Sequence, residues 1–306
     1  MNGILSQVRL SRQEWALVAV TMVWGTTFLI VHNVLDHTGP LFFVGIRFAF
    51  SSLAMLLISF RVMRGLTLNE LWAGFAIGVM IFIGYGFQTF GLQTISSSKS
   101  AFITAFYIPL VPVFQWLFMR RRPHFMSWVG IFLALAGLIL ITGPQDGQNG
   151  LGIGEIQTFI CTLGTTFEIL LISHFAGKVD LRRVTVIQLM VASFLSFGSM
   201  GPMGESIPEF SWIVLGSAIW LGMMTAIIQL GMNWAQRVVS PARAAVIYAG
   251  EPVWAGIFGR MAGDRLPPAA LIGCALVVIG VLVSELKPKF TMRRKEHHKE
   301  ALNAAD

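Results

Sequence analysis

Residues 242–261 read ARAAVIYAGEPVWAGIFGRM, with Glu251 and Pro252 side by side at the centre and basic side chains only near the ends. Twenty mostly apolar residues are about what a helix needs to cross a hydrocarbon layer of roughly 30 Å. An acid at that depth costs at least ~2.5–3.5 kcal/mol on insertion scales and is kept only beside water or a protein partner. Pro252 lacks the N–H that would bond the Tyr248 carbonyl, so a free acceptor is expected beside the acid. This stretch predicts a membrane span with a polar notch.

The same kind of run recurs along the whole chain. Ten candidate spans are expected at 13–35, 41–60, 71–92, 99–119, 126–142, 154–175, 185–203, 212–234, 242–261 and 268–286, the fifth ending at a Gly143-Pro144 stop signal. The composition agrees: the 306 residues are 55% hydrophobic and 12% charged, whereas a soluble domain carries about 25% charge. The first run, from near Glu14, outlasts a signal-peptide core and no small-residue cleavage site follows it, so it is expected to stay as a span. Cys161 and Cys274 lie far apart inside apolar runs and give neither a disulfide framework nor metal-ligand spacing.

The net charge of +7 would suggest nucleic acid in a soluble protein. Here the basic residues fall in short loops and in the tail, so no nucleic-acid partner is expected. With the N-terminus inside, eighteen of the 22 Lys and Arg residues are cytoplasmic, and only Lys99, Arg260 and Arg265 lie outside. That bias, with an even span count, predicts both termini on the cytoplasmic side of a multi-pass membrane protein. The tail, 287–306, is expected to be a disordered basic segment able to touch anionic headgroups. Its His297 and His298 make no metal site without further ligands.

The chain also repeats itself. Shifted by 143 residues, 71–142 lies over 214–285 without a gap: Gln93 meets Gln236, Pro109 meets Pro252, Gly130 meets Gly273 and Gly137 meets Gly280. Matched Pro and Gly carry weight because their backbone roles are special. Each copy, 13–142 and 154–286, holds five spans, and an odd number makes the second copy enter the membrane in the opposite sense. The expected fold is therefore all-α, with ten transmembrane helices arranged as two inverted five-helix repeats. Such an architecture belongs to secondary transporters, whose substrate binds at the repeat interface near the midplane.

The segments WGTTFLIVHNVL (24–35), IRFAFSSLAMLLI (46–58), SAFITAFYIPLVPVF (100–114) and ARAAVIYAGEPVWAGIFG (242–259) resemble the EamA family of the drug/metabolite transporter superfamily. The resemblance covers about residues 14–286 and rests mainly on its Trp-Gly, Arg-Phe and Glu-Pro pairs. It implies ten helices around a central cavity in the bacterial inner membrane, and export of amino acids or other small metabolites. One departure stands out. Many members carry an acid or similar polar residue before the first-repeat proline, where this chain has Ile108 before Pro109.

Three ionisable groups stand well inside spans: Arg47, Glu168 and Glu251. For Glu251 two readings are open, a direct role in transport and a structural pin paired with Arg47 or a hydroxyl. Arg47 either holds the structure or snorkels to the outer interface; Glu168 is a proton site, a gate residue or structural. Tyr248, Glu251 and Trp254 share a face at i, i+3 spacing, as do Thr104 and Tyr107 just before Pro109. Thr225, Gln229 and Asn233 form one polar stripe and Gly84, Gln88 and Gly91 another, with Tyr85 nearby; each lines a cavity or bonds a neighbouring helix. Trp24 lines the cavity or packs, Gly74 and Gly78 allow close helix approach, and Pro109 and Pro252 mark hinges or helix breaks.

No phosphate-binding loop, His-Glu-x-x-His or convincing Ser-His-Asp set is present, so no cofactor, catalytic residue or metal is expected. The expected function is secondary active export of a small-molecule substrate, driven by a gradient of protons or another ion, by substrate exchange or by downhill facilitation, with no oligomer required. The alternatives are a membrane enzyme acting on lipid-linked substrates, which needs a nucleophile and base, and a passive channel, which needs a selectivity ring.

Overall fold

The computed structural model describes residues 10–95, 97–120, 125–142, 152–261 and 268–284. The Gly143-Pro144 stop, Arg122, Arg265 and the tail 287–306 with His297 and His298 lie outside the described residues. Among the described residues there are twelve helices: α1 Arg12–Val34, α2 Pro40–Met63, α3 Leu68–Gly91, α4 Ser97–Thr104, α5 Tyr107–Met119, α6 Phe125–Thr142, α7 Ile153–Phe175, α8 Leu181–Met200, α9 Trp212–Ala235, α10 Pro241–Tyr248, α11 Glu251–Met261 and α12 Pro268–Ser284. No strand occurs among the described residues.

Local sequence sets the helix starts. Ser11 and Glu14 form a capping box on α1, and Thr67 and Glu70 form one on α3. Asp180 caps α8 through the N–H groups of Arg182 and Arg183 at 2.9 and 3.4 Å. Pro40 and Pro241 open α2 and α10, where a missing N–H costs nothing. Six helices, α1–α3 and α7–α9, are long and apolar enough to cross a membrane. Leu57, Ile58, Phe194 and Trp220 stand exposed on their outer faces, as contact with lipid chains permits.

The expected continuous helices at 99–119 and 242–261 are each divided, by turns at 105–106 and at 249–250. Both breaks precede the prolines. Pro109 and Pro252 sit in the first turns of α5 and α11, where proline replaces an N–H that has no intrahelical acceptor. The sequence marked the breaks through the prolines but placed them two to three residues late, because a helix stops upstream of the ring that would clash with it.

Packing is mainly between the halves. α2 runs antiparallel to α8, since Arg183 at the start of α8 bonds the Val62 carbonyl at 2.8 Å, while Glu205 beyond its end bonds Leu41 and Phe42. α3 packs against α7 and α8, α9 against α1 and α2, and α6 against α12. Gly74 and Gly78 lie directly under Ile187 and Val191 of α8, as small residues at a close crossing should. A close backbone-to-backbone approach occurs at Gly164 of α7, where an added Cβ would lie 2.7 Å from the Gly84 nitrogen and 3.0 Å from its Cα. Backbone cannot rotate away as a side chain can, so Gly164→Ala should lower stability by about 1–3 kcal/mol. Gly198→Ala, with open space around it, should be neutral. Equal melting temperatures for the two variants would contradict the close crossing.

Candidate functional site

The breaks in the two divided helices open onto one buried cavity. Trp24 and Thr27 reach it from α1, Gly84, Tyr85 and Gln88 from α3, Thr104 from α4 and Tyr107 from α5. Cys161, Thr165 and Glu168 line it from α7, and Glu251 from the first turn of α11. Its volume is about 30 Å³, room for roughly two waters. Glu251, Glu168 and Tyr107 are buried there.

Trp24, Gln88, Tyr107, Glu168 and Glu251, singled out from the sequence, thus meet in one place. Tyr248 does not join them. The break after it turns α11 away from α10, and its ring packs edge-on against Trp24 and Tyr107 with centroids 5.2 and 6.5 Å apart. Its hydroxyl accepts from Gln236 Nε2 at 3.2 Å. The shared face expected for Tyr248 and Glu251 required a continuous helix; Thr104 and Tyr107 also straddle a break, yet both remain in the lining.

Arg47 neither snorkels nor pairs with Glu251. It is 3% exposed, donates from Nε to Thr225 Oγ1 at 2.9 Å, and holds its guanidinium carbon 5.0 Å from the Tyr85 ring centroid. It stands against the cavity wall, outside the lining. α9 packs closely over α2 at this level: an added Cβ on Gly222 would lie 2.9 Å from the Arg47 carbonyl oxygen.

Gln229 and Asn233 also lie outside the lining and act on it at one remove. Asn233 Nδ2 donates to Gln188 Oε1 at 3.2 Å, Gln188 Nε2 to Gln229 Oε1 at 2.8 Å, and Gln229 Nε2 to Glu168 Oε1 at 2.8 Å. Each amide in this chain donates in the direction of Glu168. The relay joins α7, α8 and α9, and Asn233 anchors its far end on Thr185 Oγ1 at 3.1 Å. Gln229→Leu, by removing a polar group beside the cavity, should impair transport. The relay adds a stability loss of about 1–3 kcal/mol, since Glu168 loses its donor and Gln188 an acceptor. An unchanged melting temperature would contradict the relay.

Sequence reading passed over Thr27, Cys161, Thr165 and Gln188. A signal existed on α7: Cys161, Thr165 and Glu168 follow i, i+4, i+7 spacing, one polar face on an otherwise apolar helix. No group of three or more His, Cys, Asp or Glu able to hold a metal occurs among the described residues.

The model of the EamA-like transporter family matches this chain twice, over residues 13–143 and 152–286. A protein of Archaeoglobus fulgidus named as an uncharacterized transporter is 28% identical over 275 residues, covering 90% of this chain and 86% of the relative. The uncharacterized inner membrane transporter YedA of Escherichia coli K12 is 26% identical over 287 residues, 89% of this chain and 90% of that one. A solved crystal structure has the same fold, with a TM-score of 0.73 over 90% of this chain and 99% of that chain at 17% identity. With six membrane-length apolar helices and two matches to one family model, this chain is a multi-pass membrane transporter and belongs to the EamA-like transporter family.

Proposed function

We propose that the chain is a secondary active transporter that moves a small metabolite across the bacterial cell membrane by alternating access. Its two five-helix halves, 13–142 and 154–286, are inverted repeats of ten spans, α4 with α5 and α10 with α11 each forming one broken span. The observation that carries the reading is a water-sized cavity lined from both halves and holding a carboxylate, Glu251, with no hydrogen bond or ion pair among the described residues. Reciprocal packing supports the inversion: α3 rests on α7 and α8 as α9 rests on α1 and α2. Broken helices that expose backbone ends to a central cavity are how membrane transporters build binding sites.

A cavity with room for about two waters is too small for a continuous pore, which favours alternating access over a passive channel. Substrate enters only when one end opens, and coupling to a proton or another ion falls to Glu251 and Glu168. The direction is export of a small metabolite. Reconstitution into liposomes and counterflow of labelled metabolites test the reading; absence of saturable, Glu251-dependent flux across a broad metabolite panel would reject it.

The charge bias puts both termini in the cytoplasm. Reporter fusions after Thr142 and at the C-terminus should read outside and inside, respectively. A C-terminus on the outer side would overturn the ten-span arrangement.

A further inference from the structure

We propose that the central cavity selects an organic cation, a protonated amine or small ammonium ion, rather than an anion or a zwitterion. This deepens the transporter reading and rests on it for the step of transport, though not for binding. The first ground is charge: the lining holds two carboxylates, Glu168 and Glu251, and no Lys, Arg or His among the described residues. Among the described residues Glu251 makes no hydrogen bond or ion pair, and Glu168 engages one oxygen, with Gln229. A buried carboxylate in that condition calls for a cation or a proton.

Hydrogen-bond polarity is the second ground. The Thr27 hydroxyl donates to the Trp24 carbonyl at 2.8 Å and the Thr104 hydroxyl to the Ser100 carbonyl at 2.9 Å. Gln88 Nε2 points to Thr104 Oγ1 at 3.4 Å. The two hydroxyl donors are spent within the protein, so both hydroxyls offer acceptor lone pairs; Gln88 keeps a second amide N–H, and Trp24 Nε1 and the Tyr107 hydroxyl have no partner among the described residues. An ammonium group has donors and no acceptor, which complements the two hydroxyls and the two carboxylates. Third, the electron-rich rings of Trp24, Tyr85 and Tyr107 stand in the wall, the groups that attract organic cations through their faces.

An anion would face both carboxylates with only neutral donors to receive it. Arg47 cannot serve from its present place, because it lies behind Tyr85 with its Nε held by Thr225. A zwitterionic amino acid would satisfy its ammonium and leave its carboxylate without a cation.

The test uses the purified full-length chain in nanodiscs and three probes on one scaffold: 2-phenylethylamine, phenylalanine and 3-phenylpropanoate. Methylammonium and tetramethylammonium extend the cation series to smaller sizes. Calorimetry should give 2-phenylethylamine an affinity at least about tenfold above phenylalanine, with no binding of 3-phenylpropanoate. Glu251→Gln should weaken amine binding by about tenfold or more, and Glu251→Asp should retain a larger part of it. Melting temperatures on the same preparations show whether each variant is folded. Binding of the anion or the zwitterion as tight as the amine overturns the proposal, as does failure of all three ammonium ions to bind. Ammonium binding that depends on Glu251 without counterflow flux upholds the cation site and overturns the transporter reading. Flux of an anion without ammonium binding does the reverse.

Discussion

Glu251→Gln should reduce transport by ~30-fold or more while leaving the melting temperature unchanged or raised. Glutamine keeps the size of the side chain and most of its hydrogen-bonding capacity but carries no charge and shuttles no proton. Losing one partner of a desolvated charge pair costs about 2–5 kcal/mol, and every 1.4 kcal/mol is tenfold. Stability discriminates between the two readings of this acid. A pin on Arg47 would leave a buried cation unpaired in the variant, a loss of about 3–5 kcal/mol. Arg47, however, is held by Thr225 and the Tyr85 face, and Glu251 is 7% exposed with no partner among the described residues. Neutralising it orphans nothing. Efflux from proteoliposomes, with thermal unfolding of the same preparation, provides both readouts. A drop in melting temperature in parallel with flux would restore the pin; normal flux would remove Glu251 from the mechanism.

What was legible in the sequence follows from which forces act locally. Apolar length and the basic bias act on each segment by itself, so the spans that became α1–α3 and α7–α9 could be read from composition. Pro109 and Pro252 announced the helix breaks for the same local reason. Glu251 and Glu168 stood out because charge at membrane depth is costly wherever it lies. Illegible were the residues whose role depends on a partner distant in the sequence. Thr27, Cys161 and Thr165 are small and compatible with lipid or packing, and only the meeting of α1, α3 and α7 makes them a wall. Gln188 gains its role from Gln229, 41 residues away in the chain. Arg47 looked free to snorkel because nothing near it in sequence reveals that α9 packs over α2 at this level and holds its Nε through Thr225. Glu205 carried no signal at all, being a glutamate in an exposed-looking loop.

Glu205 and its opposite number Glu70 should control which end of the cavity opens. Pro40 and Gly39 leave α2 without a capping side chain, and Gly39 has room for none because the Glu205 side chain occupies the space of its missing Cβ. Glu205 supplies the cap from beyond α8, accepting from the N–H groups of Leu41 and Phe42 at 3.0 and 2.7 Å. At the other end of the same antiparallel pair, Glu70 accepts from the Asp180 N–H and from Arg183 Nη1, both at 3.1 Å. Each carboxylate therefore ties one half to the second span of the other, on opposite faces of the membrane. Both ties are made in this conformation, and widening the cavity at one end must release one of them. Glu70→Ala should cost about 3 kcal/mol, the low end for a broken buried pair, because the Arg183 side chain is still 21% exposed. Glu205→Ala should cost only the ~0.5–2 kcal/mol of a lost cap. A tie can shift the conformational equilibrium by no more than its own contribution, so Glu205→Ala should raise opening at its end by ~2–30-fold. Cys161, 1% exposed in the cavity wall, reports that opening in a Cys274→Ser background. An impermeant maleimide added outside should label it faster in Glu205→Ala, and one added from the cytoplasmic side should do so in Glu70→Ala. Lower melting temperatures with unchanged labelling from both sides would mean that the two carboxylates stabilise the fold without gating the cavity.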